Sequence, residues 1–525
     1  MSIWNNKENI EEIKRIIEIL ETFFHYGLED VLDEVNIVRE LNIPLFKKKE
    51  VLSGIKRKSI PERMRLAFEK LGPAFVKFGQ FLSTRPDILP YEYIMEFEKL
   101  QSDVTRVPFY KIKSQIHNSL GKTIDKLFVD FDRKPVAAAS MSQVHAAILP
   151  NGTKVAVKVK RPDIDEVIYT DTKIIWKLAK FLKNKQLVNE VWKPVELSEQ
   201  FERTLKDELD FKIEIANQKK FFLNFVDEPS IKIPKVFDEY SSDCVITMEY
   251  VKGMNINKVA RSRSKKYVKE EIAKIGERAI FKQVFVDYFF HGDLHPGNIL
   301  WLEKEQKICF IDFGIVGNLH NDEVKALSLM LSGILSFDSE KILLGIEGLD
   351  IINSSRQADC LKREVYQLLE KYYNAVLKEV KIATLIQEIF NLMLKLRISL
   401  PINLVKLAKT FMMAEGLAEK LDPDFCLFEF AKPYVAISVK KQIDYKNIKN
   451  KIENKILRSS QLLESLPEDL QWFLRNLKNN DFKIKIEHQK LHYVLAEIAQ
   501  TGNRLSASLI VAGLVVGSSY IMPTF

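Results

Sequence analysis

The densest chemistry in the chain lies in His291-Gly-Asp-Leu-His-Pro-Gly-Asn298 and, a short way on, Ile311-Asp312-Phe313-Gly314. Phosphoryl transfer from ATP needs a carboxylate beside the attacking oxygen and oxygen ligands for a Mg²⁺ that bridges the phosphates. Asp293, Asn298 five residues later, and Asp312 after an apolar run have the types and spacing for it. Asp293 is then the catalytic carboxylate, and Asn298 and Asp312 the metal ligands. His291, Asp293 and His295 can also be read as a metal cluster, and each residue singly as ordinary turn chemistry. The pairing of D-x-x-x-x-N with a downstream D-F-G favours phosphoryl transfer.

Upstream, Val155-Ala-Val-Lys158 ends a strand on a lysine suited to the α- and β-phosphates. That strand, 154–159, is the second arm of a hairpin whose first arm is 143–148 and whose turn is Asn151-Gly152. The first arm is approached through Ala137-Ala138-Ala139-Ser-Met-Ser142-Gln-Val144. This stretch overlays on G-x-G-x-x-G-x-V, with Ala137, Ala139 and Ser142 at the glycine positions. Each Cβ restricts φ and blocks close backbone approach, so a stiffer loop is expected, with an altered preference between ATP and ADP. Ala137, Ala138, Ala139, Ser142, Val144 and Lys158 are the nucleotide-binding candidates. Met248-Glu249-Tyr250-Val251 follows a strand where two lobes would join, so Glu249 and Val251 are placed at the adenine by their order along the chain.

The elements that must hold these residues fall into a helical N-terminal part, a small mixed lobe and a larger helical lobe. Residues 1–60 read as amphipathic helices, and 61–130 as helices punctuated at Gly72-Pro73, Arg85-Pro86 and Leu89-Pro90. Residues 131–253 carry short β-branched runs, with helices at 170–184 and 196–225. Residues 254–440 are helical apart from strands at 299–302 and 308–312. A charged helical stretch, 441–504, leads to the uncharged run 505–522, which would be roughly 27 Å long as a helix. The first helix alternates charged and apolar residues and is no signal peptide. The chain has 525 residues and a net charge of +8, from 79 Lys and Arg against 71 Asp and Glu. So mild a balance disfavours nucleic acid as a partner. The four cysteines, Cys244, Cys309, Cys360 and Cys426, lack metal or disulfide spacing, and 19 Gly with 18 Pro disfavour a turn-rich all-β fold.

With these motifs on the page, the sequence resembles the UbiB-type (ADCK-like, AarF) atypical kinases from about residue 60 onward. Lys77-Phe-Gly79-Gln80 matches that family's KxGQ signature and Glu208-Leu-Asp210 its ExD signature. The resemblance implies an α+β, protein-kinase-like two-lobed fold with an N-terminal helical extension carrying KxGQ and a C-terminal transmembrane helix. It also implies ATP or ADP with Mg²⁺ as cofactors, Lys77 and Gln80 in the catalytic cleft, and a KxGQ helix lying across the place of a protein substrate. A membrane lipid or isoprenoid small molecule, of the kind met in ubiquinone biosynthesis, is the implied partner.

Helical spacing adds its own constraints. Lys77 and Gln80, at i and i+3 after Pro73, share a face. Asp210, Glu214 and Asn217 form one stripe, with Glu208 about 200° from Asp210 on an ideal helix. Glu214 is therefore the expected partner of Lys158, leaving Asp210 and Glu208 for Lys77 or the metal, Asp210 being the metal-ligand candidate. Two rival readings are a small-molecule kinase of the aminoglycoside or choline type, disfavoured by KxGQ and the Ala-rich loop, and a nucleotide-binding pseudokinase scaffold, disfavoured by intact Lys158, Asp293, Asn298 and Asp312. Lys485, Lys490 and Arg504 precede the run 505–522 and no positive charge follows it, so a single-pass anchor with a cytoplasmic kinase-like domain is expected. The family commonly ends in two hydrophobic segments and this chain shows one, so it is either truncated or anchored singly, with self-association through Gly513 and Gly517 as the expected substitute.

Overall fold

The computed structural model describes residues 10–28, 54–85, 88–100, 106–184, 193–262, 266–352, 354–373, 381–396, 398–428 and 430–434. The stretch 441–504 and the run 505–522, with Gly513 and Gly517, lie outside the described residues. Among the described residues no helix is long and apolar enough to cross a membrane.

The chain begins with α1 (Ile10–His25), α2 (Ile60–Leu71), α3 (Pro73–Leu82) and α4 (Tyr91–Phe97). Ser59 caps α2 by accepting from the Glu62 N–H. Between α2 and α3 the chain turns at Gly72, whose φ of 100° only glycine adopts without strain, and Pro73 then opens α3 with no N–H to leave unpaired. Gly79 sits where a Cβ would overlap Leu100 and lie 2.8 Å from the Phe68 ring. The glycine of the KxGQ signature thus lets α3 lie flush on α2 and the chain after α4.

Next come α5 (Phe109–Leu120) and α6 (Ile124–Leu127), then β1 (Asp130–Phe131), β2 (Ala137–Ala138), β3 (Ser142–Ile148) and β4 (Lys154–Lys160). The turn between β3 and β4 uses Gly152 at a φ of 81°. On β4, Val155, Val157 and Val159 are fully buried on one face, against Ile112 and Ile116 of α5 and Ile124 and Leu127 of α6. Because a strand alternates its faces, Lys158 projects to the other side, toward the cleft.

After β4, α7 (Ile164–Asn184) and α8 (Pro194–Leu209) leave the sheet and pack on the N-terminal helices, where Ile174, Leu178, Phe201 and Leu205 join Phe23, Phe68 and Phe75 in one core. The cores therefore divide the chain differently from a boundary at 130/131: α5 and α6 belong with the sheet, while α7 and α8 belong with the KxGQ helix. The single helix expected over 196–225 is two, α8 and α9 (Phe211–Asn224). Asp210 (φ −93°, ψ 99°) breaks it: its carboxylate accepts from the Lys212 N–H, and the Phe211 N–H turns outward to the Asp243 carbonyl at 3.0 Å.

The remainder comprises β5 (Ile231–Lys232), β6 (Val245–Glu249), β7 (Met254–Asn255), α10 (Ile256–Arg261), α11 (Lys266–Phe285), β8 (Phe289–His291), β9 (Ile299–Leu302), β10 (Lys307–Phe310), β11 (Val316–Asn318), α12 (Asn321–Ser336), α13 (Ser339–Glu347), α14 (Ser355–Tyr373), α15 (Ile382–Leu396) and α16 (Ile402–Leu421). An antiparallel sheet ordered β1-β3-β4-β6, with β2 on β3, forms the small lobe. The helical lobe carries two small sheets, β5-β10-β9-β7 and β11-β8. The hairpin β9-β10 holds Asn298 just before it and Asp312 just after it, so one local unit presents both residues.

Candidate active site

A cleft of about 780 Å³ opens between the lobes and the KxGQ helix, lined among others by Lys77, Gln80, Glu208, Asp293, Asn298 and Asp312. Lys158 is not itself among the lining residues but neighbours them, with Nζ 2.7 and 2.8 Å from the two Glu214 oxygens and 3.6 Å from Asp312 Oδ2. Burial works against its charge, yet Asp312 and Glu214 hold the ammonium above the ordinary lysine range. The same ammonium, first among several causes, holds the Asp312 carboxyl below the usual carboxylate value. Asp312 takes a left-handed φ of 64°, costly for a non-glycine residue, and is secured there by the Gly314 N–H donating to its Oδ1 at 3.2 Å.

The loop before β9 is equally fixed. The Asn298 amide donates to the Asp293 carbonyl (3.1 Å), and the Ile311 N–H donates to the Asn298 carbonyl (2.9 Å), which ties the two loops together. His291 is fully buried: its N–H donates to Gln283, its carbonyl accepts from Thr410, and its Nδ1 accepts from the Asp293 N–H. Burial pushes its imidazole down, toward the neutral form. His295 Nδ1 accepts from the Gly297 N–H. The two histidines thus shape the loop, and among the described residues no group of three His, Cys, Asp or Glu side chains is placed to hold a metal.

Lys77 pairs with Glu208 at the end of α8. Burial opposes the Lys77 charge, but Glu208, with Asp312 and Asp293 farther off, holds it above its ordinary value. The amide of Gln80 donates to the Leu100 carbonyl at 3.1 Å, so Gln80 positions the cleft wall as well as lining it. Asp210, the metal-ligand candidate, caps α9 through Oδ1 and is not among the cleft's lining residues, while the helix break at Asp210 puts Glu208 and Glu214 on different helices.

The Ala-rich loop is a tight hairpin turn. Its Ala139 N–H donates to the Ser142 carbonyl (2.8 Å), and Arg161 Nε donates to the Ala139 carbonyl (2.9 Å). None of its residues has a positive φ, so it needs no glycine. Ala138, Ala139 and Ser140 line the cleft; Ala137 and Val144 pair with each other in the sheet, and Ser142 is buried in β3. Ser142 therefore departs from the expectation that it would line the nucleotide site. Glu249 and Val251 lie at the link after β6, outside that lining, with the Glu249 carboxylate 2.7 Å from Lys232.

Sequence reasoning missed Glu98, Lys406 and Lys409, all of which line the cleft. Lys409 Nζ stands 3.8 Å from Asp293 Oδ1, and Lys406 donates to the Val316 carbonyl at 3.2 Å. Burial pulls Lys406 down. Burial raises the Glu98 carboxyl, with Lys409 opposing and Asp293 adding to the effect. The spacing of Lys406 and Lys409 at i, i+3 was a visible signal, but nothing local says which cleft they enter.

The comparisons with known proteins agree with this geometry. Residues 99–344 match the ABC1 atypical kinase-like domain, and residues 365–426 match the UbiB helical domain. The chain is 32% identical over 515 residues to an uncharacterised protein in the hydrogenase 1 5′ region of Clostridium pasteurianum, covering 98% of this chain and 93% of that one. It is 33% identical over 440 residues to the probable protein kinase UbiB of Cellvibrio japonicus (83% and 79% covered). With the probable protein kinase UbiB of Aeromonas hydrophila it shares 31% identity over 523 residues (96% and 93% covered). Matches of this extent, on a kinase-like fold that places a KxGQ helix over the cleft, make the chain a member of the UbiB family of ABC1 atypical kinases.

Proposed function

We propose that the chain is a membrane-associated, ATP- and Mg²⁺-dependent phosphotransferase or ATPase that acts on, or for, an isoprenoid lipid of the ubiquinone type. The observation that carries the nucleotide part is the meeting of Asp293, Asn298 and Asp312 on one cleft, with Lys158 3.6 Å from Asp312. The donor set suits Mg²⁺. Asn298 spends its amide nitrogen on Asp293, leaving Oδ1, and Asp312 keeps Oδ2, two oxygens for an ion that fills its remaining positions with phosphate and water. Bound there, Mg²⁺ would offset charge on the phosphates. Lys158 would hold the α- and β-phosphates against the Ala138–Ser140 turn, and Asp293 would take the proton of the attacking water or hydroxyl. Lys409 supplies a cation beside that carboxylate. Lys77, locked to Glu208, lies where a protein substrate would have to approach, which favours hydrolysis or a small substrate.

The full chain should hydrolyse ATP with Mg²⁺ and transfer little labelled phosphate to generic peptides. Efficient peptide phosphorylation would remove the occluded-cleft reading, and nucleotide binding without any hydrolysis would favour a scaffold.

Membrane association is supported by the uncharged run 505–522 with Lys and Arg on its N-terminal side, and the isoprenoid link by the family alone. Deleting residues 505–525 should move the protein from the membrane fraction to the soluble fraction with nucleotide binding intact. Sedimentation of the deleted form with membranes would refute the anchor.

A further inference from the structure

The helical lobe carries a second, partly open cavity, of about 240 Å³, remote in character from the cleft. Helices α12 to α16 surround it, each turning an apolar stripe inward at i, i+3 or i, i+4 spacing. Leu331 and Ile334 come from α12, Val365 and Leu369 from α14, Ile389 and Met393 from α15. These helices have what a packed interior needs, yet they do not close on one another. Protein interiors hold few voids larger than a water molecule, so a space of this size calls for an occupant.

The lining says which kind. Among the described residues that line it Tyr372 is the one polar side chain, and the Tyr372 hydroxyl already donates to Glu388 at 3.0 Å. Water needs two to four polar partners and finds none offered. A nucleotide, a sugar or a charged metabolite would lose its hydration with nothing in return. Ligand sites usually fix orientation with a few placed polar groups; their lack here restricts the occupant to a group with no polar atoms of its own. An apolar cavity of about 150 Å³ takes up benzene, so by proportion this one accepts roughly ten carbon atoms. Met330 and Met393, unbranched and adaptable, suit a flexible occupant.

We propose that this cavity is a binding site for the hydrocarbon chain of a lipid, acyl or prenyl, whose polar end stays outside. The site is separate from the nucleotide cleft and does not depend on the nucleotide reading.

The test uses the full chain and cis-parinaric acid, whose fluorescence rises in apolar surroundings. Saturable binding at one probe per chain is expected, with farnesol and palmitic acid as competitors. Displacement by farnesol alone assigns a prenyl chain, and by palmitic acid alone an acyl chain. Filling the cavity with Leu331→Trp or Met393→Trp should weaken probe binding at least tenfold, with ATP binding unchanged. Should either fail to fold, Leu331→Phe and Met393→Phe fill less and should weaken binding in the same direction. The proposal is overturned if the wild-type chain shows no saturable binding, or if folded, filled variants bind as the wild type does. Binding that emerges only when residues 441–525 are removed would assign the cavity to the chain's own tail, and also overturns it.

Discussion

Asp312→Asn is expected to lower Mg²⁺-dependent ATP hydrolysis by about 10²–10³-fold, the scale seen when a charge-stabilising group is removed from a preorganised site. The substitution keeps shape and backbone. Asparagine tolerates the left-handed φ of 64° and can still accept from the Gly314 N–H. What is lost is one negative charge, on a carboxyl held below the usual carboxylate range by Lys158 3.6 Å away and proposed to ligate the cation. Lys158 keeps Glu214, so the fold should survive. Phosphate release and a Mg²⁺-ATP thermal shift, measured together, separate lost chemistry from lost folding. Hydrolysis within a few-fold of wild type would show that Asp312 holds no metal.

The second large effect is on stability. Glu277, in α11, is almost fully buried, its Oε2 has no hydrogen-bond partner, and burial, reinforced by nearby Glu415, pushes its carboxyl up to about 8. Glu415 keeps its own oxygens on the Ile382 and Ala383 N–H groups at the start of α15. A carboxyl whose folded value is raised binds its proton more tightly folded than unfolded. Its contribution is thus complete below the ordinary value near 4.5 and is lost as pH rises toward 8. Glu277→Gln removes that dependence. The variant should match wild type below about pH 4.5 and exceed it by an amount that grows to roughly 4 kcal/mol near pH 8. Thermal midpoints across that range check it, and a pH-independent difference would contradict it.

Local spacing made much of the site legible. The turn at Gly152, strands β3, β4, β9 and β10, and the Lys158–Glu214 pair depend on contacts or periodicities that few residues determine. The break at Asp210 was hidden because the apolar periodicity runs through it, although aspartate before Phe211 was an available capping signal. Lys409 and Glu98 were hidden for another reason: they reach Asp293 across long sequence separations that only the packing of α16 and α4 creates. The exchange of partners between α5–α6 and α7–α8 was likewise invisible, since each pair is amphipathic and periodicity does not name the surface it covers.

The break at Asp210 has a mechanical meaning. One residue separates α8, whose Glu208 secures Lys77, from α9, whose Glu214 secures Lys158. If a ligand parts Lys77 from Glu208 and moves the end of α8, the start of α9 is one residue away. A substrate that in this way changed nucleotide affinity by some factor would, by thermodynamic reciprocity, have its own affinity changed by nucleotide by the same factor.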